Sequence, residues 1–545
     1  MSLLISQLGQ KTDNIDIICF SLVCKRWYND RDKYLLFNTD RIDLLSLNNI
    51  DINQNHNHFK LPSYNNILLK SIQSKTKCKL FIGKIKYNTF DYHYDDVRNL
   101  KSIPNNVSDI YFTTNEYTED DMEYLYRLIS ESQSVTKLNR CKTLKYGLPK
   151  SIKSLKYEYG VDEPLVKGLL PNSLEVLVLE DRNFKQEIPP GVLPDSLRKL
   201  YLPNYQYKIQ PGVLPNGLQK FSMDGYRHEI QPGLLPSSLK SLGLTSYTSE
   251  LREYLRYSFN PTTFGDSREP KSYLPISWLH AISSLSNLRS LYIFIPLSSR
   301  HDTTIFNLNY LPPTLEKLDI TLQGKESILK GTMPTSLKRI LLVDCQFKFD
   351  EIFPETLQYH LEIFYFINDS FIPIPPNIKI DSLSVCGETI KSTISLPSGV
   401  RSINLYMKSS GSDENNIDFC GDGVADQRCS LRELRLPTFV DGPPKVKLPK
   451  TIEYLDIGNN NLNDILHLIP STLNTLVFEN QSNNNFSIPN TIKSINNIIY
   501  RFKSYETLSI RKLDNNYYLL YSENEGRLRS QIFHQSKLEQ MLKFR

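Results

Sequence analysis

Residues 170–179 read Leu170-Pro-Asn-Ser-Leu-Glu-Val-Leu-Val-Leu179. The same frame returns as Leu193-Pro-Asp-Ser-Leu-Arg-Lys-Leu-Tyr-Leu202, Leu214-Pro-Asn-Gly-Leu-Gln-Lys-Phe-Ser-Met223 and Leu235-Pro-Ser-Ser-Leu-Lys-Ser-Leu-Gly-Leu244. The shared frame is apolar-Pro-x-small-Leu-x-x-Leu-x-Leu. It recurs at Leu148, Leu311, Met333, Phe353, Leu396, Leu448, Ile469 and Ile488, with worn copies at Ile103, Leu285 and Ser430. The proline sets the phase at 149, 171, 194, 215 and 236, at 312, 334, 354, 376 and 397, and at 449, 470 and 489, with steps of 19 to 23 residues within each run. Such a period is too short for paired-helix repeats of roughly 33 residues or more, and fits units with one short strand each.

The spacing carries the physics. In Leu174-x-x-Leu177-x-Leu179 the last two apolar positions alternate with other residues, as a half-buried strand requires. The proline ahead fixes its own φ and offers no N–H, so it ends a helix and opens an extended segment. The small residue two places later suits a tight turn, and Pro190-Gly191, Pro211-Gly212 and Pro232-Gly233 are turn dipeptides between strands. One such unit cannot bury its own apolar face. Stacked units bury it together, strand beside strand, in a parallel sheet.

Two copies, Ile452-x-x-Leu455-x-Ile457-x-x-Asn460-x-Leu462 and Leu337-x-x-Ile340-x-Leu342-x-x-Cys345-x-Phe347, resemble the leucine-rich repeat, in which a short donor at the Asn or Cys position satisfies backbone carbonyls. Copies with Arg182 or Gln323 at that position depart from it. The linking segments Phe184-Lys-Gln-Glu-Ile188-Pro-Pro-Gly, Tyr205-Gln-Tyr-Lys-Ile209-Gln-Pro-Gly and Tyr226-Arg-His-Glu-Ile230-Gln-Pro-Gly carry a narrower resemblance, to the FNIP repeat abundant in social amoebae. Clear copies cover about residues 170–244 and looser ones extend from 146 to about 498. The fold expected is an α/β leucine-rich-repeat-like solenoid with a parallel β-sheet, a short helical N-terminal cap and a C-terminal helix.

Near the start, Ile15, Ile18, Leu22 and Val23 recur at helical spacing after Asp13 and Asn14, either of which can cap. The string Leu22-Val-Cys-Lys-Arg-Trp27 resembles the second half of an F-box, a small helical domain that docks on the linker subunit of SCF-type ubiquitin ligases. That resemblance implies that Leu22, Val23, Cys24 and Trp27 form the packed side of the bundle and mark its partner-binding element. The Leu-Pro and first helix that open an F-box have no counterpart in residues 1–8. A truncated domain, an internal start and a simple end cap for the array all fit this departure.

The expected organisation is a partial F-box-like segment over 1–45, an irregular region with degenerate repeats over 46–145, repeats over 146–249, a helical insertion over 250–286, further repeats over 287–500 and a cap over 501–545. Met122, Leu125, Tyr126 and Ile129 predict a helix within 119–134, Glu250 to Phe259 predicts another, and Leu528, Ile532, Phe533, Leu538, Met541 and Leu542 predict the terminal one. Asn-rich stretches at 48–57 and 480–485, and the polar 408–428 stretch, read as loops.

Composition limits the function classes. A net charge of +5 over 545 residues, with both signs mixed everywhere, lacks the basic stripe of a nucleic-acid binder. None of the eight cysteines forms a Cys-x-x-Cys pair, so neither a metal site nor another cofactor is expected. Phosphate-loop, His-Glu-x-x-His and Gly-x-Ser-x-Gly motifs are absent, His56 and His58 lie in an Asn-rich stretch, and the acidic pairs Asp95-Asp96 and Asp120-Asp121 sit in polar surroundings, which argues against an enzyme. No apolar run approaches a membrane span and the first residues lack a basic start, so a cytoplasmic location is expected. A protein-binding repeat array remains. The residues flanking the inward leucines are expected on its concave face: Val176 and Val178, Lys199 and Tyr201, Lys220 and Ser222, Ser241 and Gly243, Lys317 and Asp319, Arg339 and Leu341, Tyr454 and Asp456. The function expected is a protein–protein adaptor that holds a protein client on the repeats and the SCF linker subunit at the N-terminus. A free-standing scaffold is the alternative reading.

Overall fold

The computed structural model describes residues 14–37, 40–43, 62–82, 85–87, 91–93, 97–112, 117–141, 143–157, 163–179, 186–202, 205, 207–223, 226, 228–244, 276–295, 305–322, 328–367, 374–390, 399–409, 429–439, 448–479, 495–501, 507–524 and 527–538. The expected helix at 250–259, the Asn-rich stretches, Arg182, Gln323, His56, His58 and the Asp95-Asp96 pair lie outside these residues, as does the expected 408–428 loop apart from Lys408 and Ser409, which end the strand Ser402–Ser409. The chain divides into two compact units, one of residues 1–221 with 523–531, the other of 222–522 with 532–545.

In the first unit a parallel ladder runs through Arg41–Asp43, Cys78–Ile82, Val107–Phe112, Lys137–Cys141, Ser154–Tyr157, Val176–Leu179 and Lys199–Leu202. Register aligns Ile42, Leu80, Ile110, Leu138, Leu155, Leu177 and Leu200 in one row, which forms the core spine. The second unit repeats the design. Ser241–Leu244, Ser290–Ile295, Lys317–Leu322, Arg339–Val343, Tyr359–Ile367, Ile378–Ile390, Ser402–Ser409, Glu433–Arg435, Tyr454–Asp456, Thr475–Glu479 and Asn497–Arg501 pair in parallel, and two antiparallel strands, Thr507–Lys512 and Tyr517–Asn524, follow. Each unit is a leucine-rich-repeat-like solenoid, with strands on one side and little helix elsewhere.

The repeat frame has a single local explanation. The N–H of the leucine three places after the proline donates to the proline carbonyl, as in Leu174 to Pro171, Leu197 to Pro194 and Leu218 to Pro215 at 3.0 Å each, or Leu337 to Pro334 at 3.2 Å. Proline thus opens a turn at its preset φ, and the turn delivers the leucine into the core. The small residue inside the turn does more than fit. Ser173 Oγ donates to the Ile152 carbonyl and Ser196 Oγ to that of Leu174, at 2.7 Å each; Ser336, Thr451 and Thr472 do the same to Leu315, Leu431 and Ile452. Each hydroxyl stitches its rung to the one before. Gly191 and Gly212 stand at φ +78 and +83, a conformation a side chain would strain, which is why glycine follows proline in these links.

The short donors act as expected. Asn460 donates to the Pro437 and Ile457 carbonyls at 2.7 Å each and accepts from Phe439 N at 2.8 Å, and Cys345 Sγ donates to the Val343 carbonyl at 3.2 Å. The helix Glu119–Glu131 forms where expected, with Thr118 as its N-cap, accepting from Asp121 N, and Met122, Leu125, Tyr126 and Ile129 buried.

Three expectations change. The expected C-terminal helix over 528–542 is absent from its described part, 528–538: Arg527–His534 is a strand, and a short turn, Gln535–Lys537, precedes the buried Leu538. Arg527, Arg529 and Gln531 alternate with Leu528, Ser530 and Ile532, so a period of two competes with the helical one over this short window, and extended backbone wins. The turn before Ile378 opens at Pro375, whose carbonyl accepts from Ile378 N, and not at Pro376. The final rung runs Ile495-x-x-Ile498-x-Tyr500, three residues later than the frame counted from Ile488, because Ile498 pairs with Leu476.

Candidate interaction face

Strand alternation divides each rung between two environments. In Val176–Leu179, Leu177 and Leu179 are buried while Val176 and Val178 are half-exposed; in Lys199–Leu202, Lys199 is exposed and Tyr201 half-exposed; in Lys220–Met223, Lys220 is exposed and Ser222 half-exposed. Ser241, Lys317, Asp319, Leu341 and Tyr454 are half-exposed and Arg339 is exposed. Within each unit these residues lie on the face opposite the leucine core. Two others point the same way without being accessible. Gly243 is covered by Ser222, whose Oγ would lie 2.6 Å from an added Cβ, and Asp456 is 3% exposed.

Asp456 is buried because it anchors an ion network on that face. Its Oδ2 accepts from Arg435 Nη1 at 2.8 Å and Arg501 Nη1 at 2.5 Å, and its Oδ1 accepts from Gly458 N at 2.9 Å. Glu479 Oε1 receives Arg435 Nη2 at 3.2 Å and Arg501 Nη1 at 3.3 Å. Arg501 also reaches the Tyr454 hydroxyl at 3.4 Å, and the Arg435 guanidinium lies 4.7 Å from the centre of the Tyr406 ring. Two cations and two carboxylates balance. Burial pulls the Arg435 pKa down, but Asp456 and Glu479 outweigh it, so both guanidinium groups end above their ordinary value. Burial raises the Tyr406 and Tyr454 hydroxyls. Sequence reading missed Arg435, Glu479 and Arg501. The signal was there in principle: opposite charges at outward positions of neighbouring rungs, visible once register is known.

Beside the network, Val343, Tyr365 and Cys386 form a buried cluster joined by Leu341, Ile367 and Tyr406. Burial pushes the Cys386 thiol up to about 11. Among the described residues no group of His, Cys, Asp and Glu could hold a metal ion, and no helix is long and apolar enough to cross a membrane.

The FNIP-type links also acquire a role. Tyr205 is 1% exposed and its hydroxyl accepts from Ile188 N at 3.0 Å, while Gln186 Oε1 accepts from Leu165 N at 3.2 Å and Glu163 Oε2 from Leu144 N at 2.7 Å. Tyr205 thus fills the core and satisfies a backbone N–H of the preceding repeat. Three overlapping stretches, 162–205, 184–225 and 205–247, match the FNIP Repeat family. The chain carries FNIP repeats. No curated protein matches the chain. Among solved structures, the circular leucine-rich-repeat protein CroV588 is 19% identical over 73% of this chain, which spans 53% of that one, with a TM-score of 0.39. The plant peptide hormone receptor RGFR1, solved in complex with RGF2, is 12% identical over 73% of this chain and 78% of its own, with a TM-score of 0.21. The fold assignment therefore stands on the ladder itself and on the FNIP repeats.

The N-terminal segment forms two helices, Asn14–Ser21 and Lys25–Tyr34, and a third follows at Asn65–Ser74. Cys24 Sγ caps the second by accepting from Trp27 N at 3.5 Å. Trp27 stacks on Phe20 with ring centres 4.5 Å apart. Ile18, Leu35, Phe37, Tyr64 and Ile67 are buried, and Arg31 ties the segment together by donating to the Ser63 carbonyl at 2.7 and 2.9 Å. The packed side differs from the one the F-box resemblance implied. Leu22 and Trp27 are half-buried, Cys24 is exposed and Val23 is 68% exposed, because both Val23 and Cys24 sit in the break between helices, outside their contact.

Proposed function

We propose that this protein is a cytoplasmic, non-enzymatic adaptor that holds a protein client on the face opposite its leucine core. The observation that carries the reading is the alternation: the rungs Val176–Leu179, Lys199–Leu202, Lys220–Met223, Lys317–Leu322 and Arg339–Val343 each hide one set of side chains and present another, chemically mixed. Such a surface suits a polypeptide partner, whose side chains vary along its length. The N-terminal helices would dock on the linker subunit of an SCF-type ubiquitin ligase, making the protein a substrate receptor. The exposed Val23, in the break before the helix that carries Trp27, supports that step, since an apolar side chain left in water is available to a partner.

The free-standing scaffold is the second reading. It is favoured by the buried Ile18, Leu35, Phe37 and Tyr64, which fit an end cap. Mixing the purified full chain with the linker subunit separates the two. Retention lost in Val23→Asp supports the receptor. Absence of retention by the unaltered chain overturns it in favour of the scaffold. For the repeats, co-purification followed by mass spectrometry should lose specific partners when Tyr201, Arg339 and Tyr292, half-exposed in the strand Ser290–Ile295 between the buried Leu291 and Ile293, are changed to alanine together. An unchanged partner set refutes the face.

A further inference from the structure

Lysines on the outward face of the first unit fall into two kinds. Lys79 has its carboxylate, Asp40, at 3.0 Å, and Lys137 has Asp109 at 3.0 Å, with the Asp109 side chain only 8% exposed. Lys199 and Lys220 have no acidic partner among the described residues, and both are exposed. They are also neighbours. Lys199 N donates to the Glu175 carbonyl and Lys220 N to the Arg198 carbonyl, the same place one rung on, so the two side chains stand on adjacent strands about 4.8 Å apart. Like charges opposed across a ladder repel, and no acid among the described residues pairs with either. On the preceding rung Val176 lies beside Lys199 and Val178 beside Tyr201, both half-exposed.

From this we propose that Lys199 and Lys220 form a subsite for a carboxylate of an acidic, aromatic-containing polypeptide segment lying across the rungs. The inference rests on the client-binding reading above and names the chemistry of that client. One side-chain carboxylate bridges the two ammonium groups, and the next apolar side chain of the segment covers Val178 and Tyr201. Charge complementarity selects the occupant: Lys79 and Lys137 each have an acid of the protein's own, and the exposed pair Lys199 and Lys220 is left for an external one. A nucleic-acid backbone fits less well, because its charge repeats at every residue while the basic pair is followed along its row by Val176 and Ser154 and then by the acid-paired Lys137.

The test uses the full chain and a fluorescein-labelled peptide of sequence Glu-Glu-Tyr-Glu-Glu-Tyr-Glu, read by fluorescence anisotropy at low salt. Binding should weaken about tenfold in K199A/K220A, disappear in K199E/K220E with gain of the matching Lys/Tyr peptide, and fall as salt is raised. K150A/K167A, which removes two exposed lysines in the turns between rungs and off the outward face, should leave it unchanged. Thermal melts should match for all variants, since the altered side chains are at the surface. Loss in K150A/K167A alone overturns the Lys199–Lys220 site, because binding then follows surface charge off the rungs. Equal binding by every variant, or no peptide binding, overturns the site, and the partner test with Tyr201, Tyr292 and Arg339 then decides the broader reading by itself. Lysine-dependent binding of a single-stranded oligonucleotide with no peptide binding overturns it in favour of nucleic acid.

Discussion

Replacing Asp456 by alanine removes one carboxylate from a balanced set of four charges. The side chains of Asp456, Arg435, Glu479 and Arg501 are 4%, 12%, 15% and 19% exposed. The variant leaves two guanidinium groups sharing Glu479, and leaves Gly458 N without its acceptor. Breaking a buried ion pair from one side costs about 3–5 kcal/mol, and the residual solvent contact of the arginines places this case near the low end, at about 3 kcal/mol. For a unit of this size that lowers Tm by roughly 5–8 °C. The second variant is more telling. D456A/R501A removes one charge of each sign and leaves Arg435 paired with Glu479 at 3.2 Å. It should lose clearly less than the sum of the two single changes, with a coupling of about 1–3 kcal/mol. Urea denaturation and calorimetry of the four proteins measure both quantities. A shift below about 0.5 kcal/mol for D456A, or strict additivity in the double variant, would show that water screens the network and would refute the argument.

Other consequences follow from the repeat chemistry. Ser173→Ala and Ser196→Ala should each destabilise by about 1 kcal/mol and add nearly fully when combined, as read by urea midpoint, because each hydroxyl satisfies a carbonyl in a different rung. Tyr205→Phe keeps the ring but leaves Ile188 N buried without its acceptor, so a loss of about 1–3 kcal/mol is expected by the same assay, larger than for an exposed tyrosine such as Tyr517. The raised Cys386 pKa has a definite sign: the unfolded thiol loses its proton first, so this contribution is intact below about pH 8.5 and is lost as pH rises toward the folded value of about 11. Alkaline unfolding should therefore be less steep in Cys386→Ala, and a thiol reagent at pH 8 should label the exposed Cys24 quickly while Cys345 and Cys386 react only on unfolding.

Much of the architecture was written locally. The interval from Pro171 to Leu174 to Leu177 encodes a turn, a core residue and a strand, and those are short-range consequences of a preset φ and a period of two. The donors Asn460 and Cys345 were legible for the same reason, since their targets lie nearby in chain or one rung away. What escaped depends on lateral register. Arg435, Asp456, Glu479 and Arg501 are separated by some twenty residues at each step, and nothing in the intervening chain announces that they meet. The hydroxyl stitches and the Tyr205 acceptor are of the same kind, bonds between rungs rather than within them. The C-terminal strand shows the converse limit, a window where helical and extended periods both fit.

Sequence alone determined that this chain would pile short proline-phased rungs over a leucine spine, because each rung is too small to bury its apolar face by itself. Tertiary structure decided which outward residues remain available: it turned Asp456 into an internal anchor, gave Lys79 and Lys137 their own acids, and left Lys199 and Lys220 side by side. The reason is physical. Which face a side chain takes follows from its place in the strand, whereas its charge balance depends on neighbours that only the stacking brings within reach.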